Sequence, residues 1–348
     1  MTLSSSPSRL VLDGAALVAN WRRLAGMSGR AACGAAVKAD GYGLGAVEAA
    51  RRLAAAGCRD FFVATWGEAE ALLEAVPDIA LSVLHGIGEA DMESALASPA
   101  RPVLNSAEQV RRWREHGGGR PCDAMVDTGM NRLGLSEREV REGALDGLKL
   151  HTLMSHLACA DEDRAMNARQ RDSFAALAGR TRAKRMSLAN SAGICLGEDY
   201  AFDLTRPGLA LYGGVPRAEA AGKIAPVARI EARIVQRRRV EPGDTVGYGA
   251  TWRAEEAAEL AILNIGYADG YLRAFSGAGR ALAEGSALPV VGRVSMDLTA
   301  VRVDSAPDLG EGDWVELDYD LPSAAAQSGL SQYELLTVLG GRFERHWV

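Results

Sequence analysis

The stretch "GAAVKADGYGLGA" ends a short apolar run on Lys38 and follows it at once with a glycine-rich turn bearing a phenol, Tyr42. A lysine so placed can attack a carbonyl as its neutral amine, because desolvation or cationic neighbours lower its pKa. A lone lysine after a strand is more often snorkelling or salt-bridged. Other polar segments shift that balance. "DTGMNRLG" offers Arg132, whose planar fork suits a substrate carboxylate or merely braces a loop. "SHLACADE" offers His156, which alone reads as a core histidine, and "ANSAG" offers Ser191, a hydroxyl donor or only a helix cap. "TRPGLALYG" offers Arg206 and Gly208, the glycine letting backbone amides approach phosphate oxygens. A reactive amine and a phosphate cradle together are what a phosphorylated aldehyde cofactor requires. His151 and His156 form an HxxxxH pair with no third ligand at sensible spacing, so no metal site is assigned.

These residues need a frame that gathers them. Short apolar strand candidates fall near 31–39, 60–65, 79–85, 101–105, 121–127, 148–156, 184–190 and 201–205, separated mostly by helical stretches such as "GAVEAARRLAAAG" and "GEAEALLEA". Strand-helix units repeated in this way predict an α/β fold, a closed parallel (β/α)8 barrel of TIM type. Catalytic groups of such barrels sit at the carboxyl ends of the strands. Lys38 closes strand one, and Arg132, His156, Ser191 and the pair Arg206 and Gly208 follow strands five, six, seven and eight, so all converge on one rim. Before the barrel, Leu17, Trp21 and Leu24 mark a helix with Asp13 as its cap. Past about residue 220 the texture becomes β-rich, with a Pro-Gly-Asp turn at 242–244, which predicts a second, mainly β domain. The expected division is 1–220 and 221–348. A late helix, "SQYELLTVLG", opens with Ser331 and Glu334 in capping-box spacing and is expected to stop at Gly340.

The 348 residues suit a large barrel plus a smaller domain, and a formal net charge of -6 disfavours nonspecific nucleic-acid binding. No secretory pattern and no long uncharged apolar segment is seen, so a cytoplasmic protein without membrane insertion is expected. The five cysteines (Cys33, Cys58, Cys122, Cys159, Cys195) are scattered, as reduced buried thiols are.

The segments "AVKADGYGLG", "DTGMNRLG", "SHLACADE", "LANSAG", "TRPGLALYG", "TVGYGATW", "IGYADGY" and "GRVSMDLT" resemble, in order and spacing, the signature segments of the alanine racemase family, over nearly the whole chain. The resemblance implies a pyridoxal 5'-phosphate enzyme that interconverts L- and D-alanine with two bases, supplying D-alanine for peptidoglycan or serving alanine catabolism. Lys38 resembles the lysine bonded to the cofactor and Tyr42 a phosphate ligand. Ser191, Gly208, Leu209 and Tyr212 lie in segments resembling the rest of the phosphate cradle. Arg206 resembles the arginine facing the pyridine nitrogen, and His156 the histidine against the ring. Arg132 and the Met296 amide resemble contacts to the substrate carboxylate. Tyr248 resembles the second base, removing the proton from L-alanine while Lys38 removes it from D-alanine. His156 and Arg206 are the candidates to help that phenol ionise.

The family's head-to-tail homodimers share their active sites, which implies that Tyr248, Tyr267, Met296 and Asp297 act on the partner's barrel. Two positions depart from the pattern. Met125 stands where some members carry a carbamylated lysine, and Gly341 stands where many place a tyrosine or other polar residue near the phosphate entrance. Other readings are a serine or broad-specificity racemase of the same fold, a non-catalytic cofactor carrier, against which Tyr248 speaks, and a decarboxylase, against which Arg206 speaks.

Overall fold

The computed structural model describes residues 6–283 and 285–348. The chain divides into two compact units, Leu17–Ala225 and a second made of the described residues up to Ala16 together with Pro226–Val348.

In the first unit, parallel strands follow one another in sequence order: Ala35–Ala36, Asp60–Val63, Ala80–Val83, Arg101–Leu104, Cys122–Asp127, Leu150–Met154 and Arg185–Ser187. An eighth, Leu204–Thr205, pairs in parallel with Ala32–Cys33. Backbone bonds continue this contact, since the Gly34 and Ala36 amides donate to Thr205 and Pro207 at 2.9 and 2.8 Å. On the other side of strand eight, the Asp203 and Arg206 amides donate to Met186 and Ala189 at 3.0 and 2.8 Å. The eight predicted strand positions thus form the TIM-type arrangement. The strands are short, apolar and buried on both faces, as the run Phe61, Phe62, Val63 shows, because helices cover the outside.

Two devices start those helices. Thr65 caps Trp66–Ala75 in a capping box with Glu68, and Ser106 caps Ala107–His116 by accepting from the Gln109 amide at 3.2 Å. Within the barrel wall, Asp123 is fully buried and satisfied by Ser82 Oγ at 2.6 Å, the Thr152 amide at 2.9 Å and Arg101 at 3.2 Å. Asp60 and Arg185, each the first residue of its strand, form an ion pair at the amino ends of the strands, where such bonds serve stability rather than chemistry.

The second unit is mainly β. Its long strand Ala228–Val240 pairs antiparallel with Trp314–Leu317 and, beyond a bulge at Ile234 to Gln236, with Ala258–Leu263, which also pairs with Thr299–Arg302. Val240, Ala254, Ala258, Leu260 and Val291 form a core beneath the hairpin strands Thr245–Val246 and Trp252–Arg253.

The structure departs from the sequence reading in a few places. The segment Ser8–Leu12, expected with the barrel, is a strand between Ala228–Val240, antiparallel, and Glu344–Trp347, parallel. Leu10 and Leu12 are fully buried there, so its alternation is completed by partners more than two hundred residues away. The Asp13 cap is present, accepting from the Ala16 amide at 2.8 Å. Ser331 and Glu334 form the expected capping box, but that helix ends at Thr337, before Gly340. Cys33, Cys58 and Cys122 are buried, whereas Cys159 and Cys195 are half-buried. Among the described residues, no helix is long and apolar enough to cross a membrane.

Candidate active site

Each polar segment of the barrel unit leaves the carboxyl end of its strand. Lys38 does so on an unusual backbone. Residues Ala39, Asp40, Gly41, Tyr42 and Gly43 all have positive φ, and Ala39 (53°, 49°), Asp40 (50°, 52°) and Gly41 (62°, 42°) form a left-handed turn. Left-handed conformation costs a residue bearing a Cβ about 1–2 kcal/mol, so Ala39, Asp40 and Tyr42 carry strain that surrounding bonds must hold. Asp40 Oδ1 accepts from the Ala46 amide at 2.9 Å, and the Gly43 amide donates to Ala39 O at 2.8 Å. Glu68 reaches in from the first turn of the helix Trp66–Ala75: one carboxylate oxygen accepts from the Ala39 amide and the other from the Ala64 amide, both at 2.7 Å.

The Lys38 ammonium makes no ion pair among the described residues. Burial lowers its pKa, and the Arg132 and Arg206 charges lower it further against an opposing pull from Glu68. His156 is pushed down to about 3 by burial and then by Arg206, Arg132 and Lys38, so its ring is neutral. Arg206, buried, falls to about 10 and stays charged at neutral pH. Its guanidinium donates to Ser155 O at 2.6 Å and to Ser187 Oγ. Lys38, Arg132, His156 and Arg206 are therefore one electrostatic group, as their convergence on one rim predicts.

A second group forms the cradle. Ser191, opening a helix capped by Asn190, uses its Oγ to accept from the Gly208 and Ala210 amides at 3.0 and 3.2 Å, which leaves its own proton to donate. A Cβ on Gly208 would stand 2.1 Å from Tyr42 Oη, so the phenol lies against bare backbone. The Leu209 amide, first in the turn Leu209–Tyr212, has no intrahelical acceptor. Gly208 thus acts through its missing side chain, since its amide is already engaged by Ser191. Tyr212 stacks on Tyr42 with ring centroids 5.0 Å apart, but it is fully buried and donates to Ala36 O at 3.1 Å, a structural place rather than a phosphate contact.

Arg132 rides on a loop clamped from below. Asp127 accepts from the Gly129 and Arg132 amides at 2.7 and 2.9 Å. Burial would raise the Asp127 pKa, but bonds from Gly129, Asn131, Arg132 and Met130 outweigh it and hold the carboxylate below its usual range. Met125 is buried in the strand beneath, packed close to Gly134. Gln170 ties this loop to the next, donating to Thr128 Oγ1 at 3.3 Å and to His156 O at 3.0 Å. The Arg132 guanidinium has no ion pair among the described residues.

The other four expected residues lie in the second unit. Tyr248 is 65% exposed at the tip of the Thr245–Arg253 hairpin, between Gly247 (φ 75°) and Gly249 (φ 74°). A Cβ on Gly249 would lie 3.2 Å from Arg293, which links this tip to the following loop. There Tyr267, Met296 and Asp297 come together: the Tyr267 and Ala268 amides donate to Ser295 O and Met296 O, each at 3.0 Å. Arg342 clamps both sides, from Nε to Asp269 Oδ1 and from Nη1 to Asp297 Oδ1, each at 2.7 Å. Gly341 beside it is exposed, and a Cβ there would meet nothing within 4 Å.

Family models of the alanine racemase N-terminal domain and C-terminal domain match residues 12–216 and 227–347. The chain belongs to the alanine racemase family. Among its relatives, the alanine racemase of Acidiphilium cryptum is 44% identical, with 97% of each chain covered. The biosynthetic alanine racemase of Agrobacterium fabrum is 41% identical over 99% of this chain and 94% of its own. The crystal structure of the Bartonella henselae alanine racemase, with covalently bound pyridoxal phosphate, superposes with a TM-score of 0.91 at 34% identity, covering 99% and 100% of the two chains.

Glu68, Asp127, Gln170, Asp269 and Arg342 were not picked out as site residues from the sequence. Only Glu68 carried a local signal, the Thr65 to Glu68 capping-box spacing; the others act through contacts distant in sequence or within a loop.

Proposed function

We propose that this chain racemises alanine with pyridoxal 5'-phosphate as cofactor. The observation that carries the reading is Lys38: a lysine at the barrel rim that makes no ion pair among the described residues, its amine favoured by burial and two arginines over the opposing pull of Glu68. The cradle fits a phosphate, since Gly208 admits the Tyr42 phenol where any Cβ would exclude it, beside a Ser191 hydroxyl free to donate and the Leu209 amide. When bound there, the cofactor supplies an aldehyde for an amine to bond and a conjugated ring that stabilises negative charge at the substrate Cα.

The chain's own residues then divide the work. Lys38 Nζ removes the Cα proton of D-alanine, the Tyr248 phenol removes that of L-alanine, and each returns a proton on the opposite route. The Arg132 fork and the Met296 amide take the substrate carboxylate. Arg206, charged and already donating two bonds, offers the ring nitrogen a hydrogen bond rather than a transferable proton. His156, neutral, can assist the Tyr248 phenol only as a hydrogen-bond partner, which leaves Arg206 as the cation in that role. Because Lys38 and Tyr248 belong to different units, a homodimer with shared sites is the assembly this chemistry favours.

Purified protein supplied with pyridoxal phosphate should interconvert L- and D-alanine faster than the serine enantiomers. Borohydride reduction should fix the cofactor to the peptide containing Lys38. Absence of racemisation, or fixation on another lysine, would sink the reading.

A further inference from the structure

We propose that Glu68 is a positioning residue for Lys38, its carboxylate pinning the Ala39 amide and so the left-handed turn that aims the lysine. This rests on Lys38 being the lysine that bonds the cofactor. Three observations carry it. First, Glu68 does more than cap its own helix. The capping box needs only the Ser/Thr exchange at the helix start, here Thr65 Oγ1 accepting from the Glu68 amide at 3.3 Å and Glu68 Oε2 lying 3.4 Å from the Thr65 amide. Its other oxygen crosses to a different loop and takes the amide directly after Lys38.

Second, the amide it takes belongs to a residue the backbone would not choose. Ala39 has a side chain and a φ of 53°, and Asp40 follows at 50°, so the turn persists only where its surroundings over-determine it. Within the turn itself Asp40 and Gly43 supply bonds, but the bond at Ala39 comes from outside, from Glu68. Third, the same carboxylate is the anion acting on Lys38, which otherwise feels Arg132 and Arg206. A carboxylate is the smallest group that can accept at both oxygens; a glutamine presents one acceptor and one donor, so it must give up either the Ala39 or the Ala64 amide.

The experiment compares Glu68→Gln, Ala39→Gly, the double variant and Thr65→Ala. Two quantities are read: amide hydrogen exchange across residues 38–43 in cofactor-free protein, and the dissociation constant for pyridoxal phosphate added back to it. Glu68→Gln should speed exchange across the turn and weaken pyridoxal phosphate at least tenfold. Ala39→Gly removes the penalty on the left-handed conformation, so the double variant should recover most of that loss. Thr65→Ala, which removes only the cap, should leave both quantities near the parent values. A Glu68→Gln protein indistinguishable from the parent overturns the proposal. So does Thr65→Ala matching Glu68→Gln while Ala39→Gly fails to rescue, because that pattern belongs to a plain helix cap. Should Glu68→Gln alone not fold, folding of the double variant supports the proposal and its failure to fold overturns it. If the parent itself takes up no pyridoxal phosphate on Lys38, the functional reading falls, while the exchange comparison still judges Glu68 as the anchor of the turn.

Discussion

His156 gains a proton only far below neutrality, and that has a cost in acid. The unfolded chain binds this proton below about pH 6.5, the folded chain only near pH 3, so stability complete above pH 6.5 is lost as the pH falls between them. At about 1.4 kcal/mol per pH unit, His156 alone removes about 2 kcal/mol between pH 6.5 and pH 5. His156→Gln should flatten that loss, as measured by urea unfolding of cofactor-free protein at pH 7 and pH 5; an unchanged slope would point to another group. Tyr248 is tested by chemistry instead. Tyr248→Phe should abolish racemisation in both directions, yet given D-alanine in deuterated water it should exchange the α-hydrogen with configuration retained, because Lys38 can still remove and return it. Binding should change far less than turnover. Racemisation near the parent rate would remove Tyr248 from the mechanism.

At the scale of elements, the second unit's loops depend on one side chain. Arg342 joins the turn Tyr267–Asp269 to the loop of Met296 and Asp297, and Asp269 is buried. A planar guanidinium reaches both carboxylates; an ammonium reaches one. Arg342→Lys should therefore cost only about 1 kcal/mol, because the arginine and Asp297 are half-exposed and a lysine keeps one of the two bonds, and should raise amide exchange at residues 295–298. Unaltered melting and exchange would show that backbone bonds alone hold this loop. Such ties explain what the sequence could and could not tell. The barrel strands were legible because each is a short apolar run bounded by turns and followed by a local helix signal, and the rim residues then fell out of strand order. Ser8–Leu12 alternates visibly, but its partners at 228–240 and 344–347 are too far along the chain for any local pattern to name. The left-handed turn at Ala39 and Asp40 was hidden for a different reason: neither residue type announces positive φ, and the bond from Glu68 is tertiary.

For the whole molecule, the division of Lys38 and Tyr248 between two units makes the assembly itself testable. Lys38→Ala chains mixed with Tyr248→Phe chains under exchange conditions should recover activity, since one of the two sites in each mixed dimer would hold both bases. Random exchange sets the ceiling at about a quarter of the parent sites. No recovery despite verified exchange would tell against shared sites.

The pairing of Ser8–Leu12 with both Ala228–Val240 and Glu344–Trp347 also fixes an order of events on the ribosome. Translation runs from the amino to the carboxyl end, so this strand is made before the barrel segment, and both of its sheet neighbours follow that segment. The barrel unit has its strands and helices available in sequence order and can form as it emerges. Leu10 and Leu12, fully buried in the finished sheet, have no strand partner until those sheet neighbours are made. Substitutions that make Ser8–Leu12 more prone to pair wrongly should therefore lower the yield of folded protein more than comparable changes in a barrel strand, whose neighbours lie close to it in sequence.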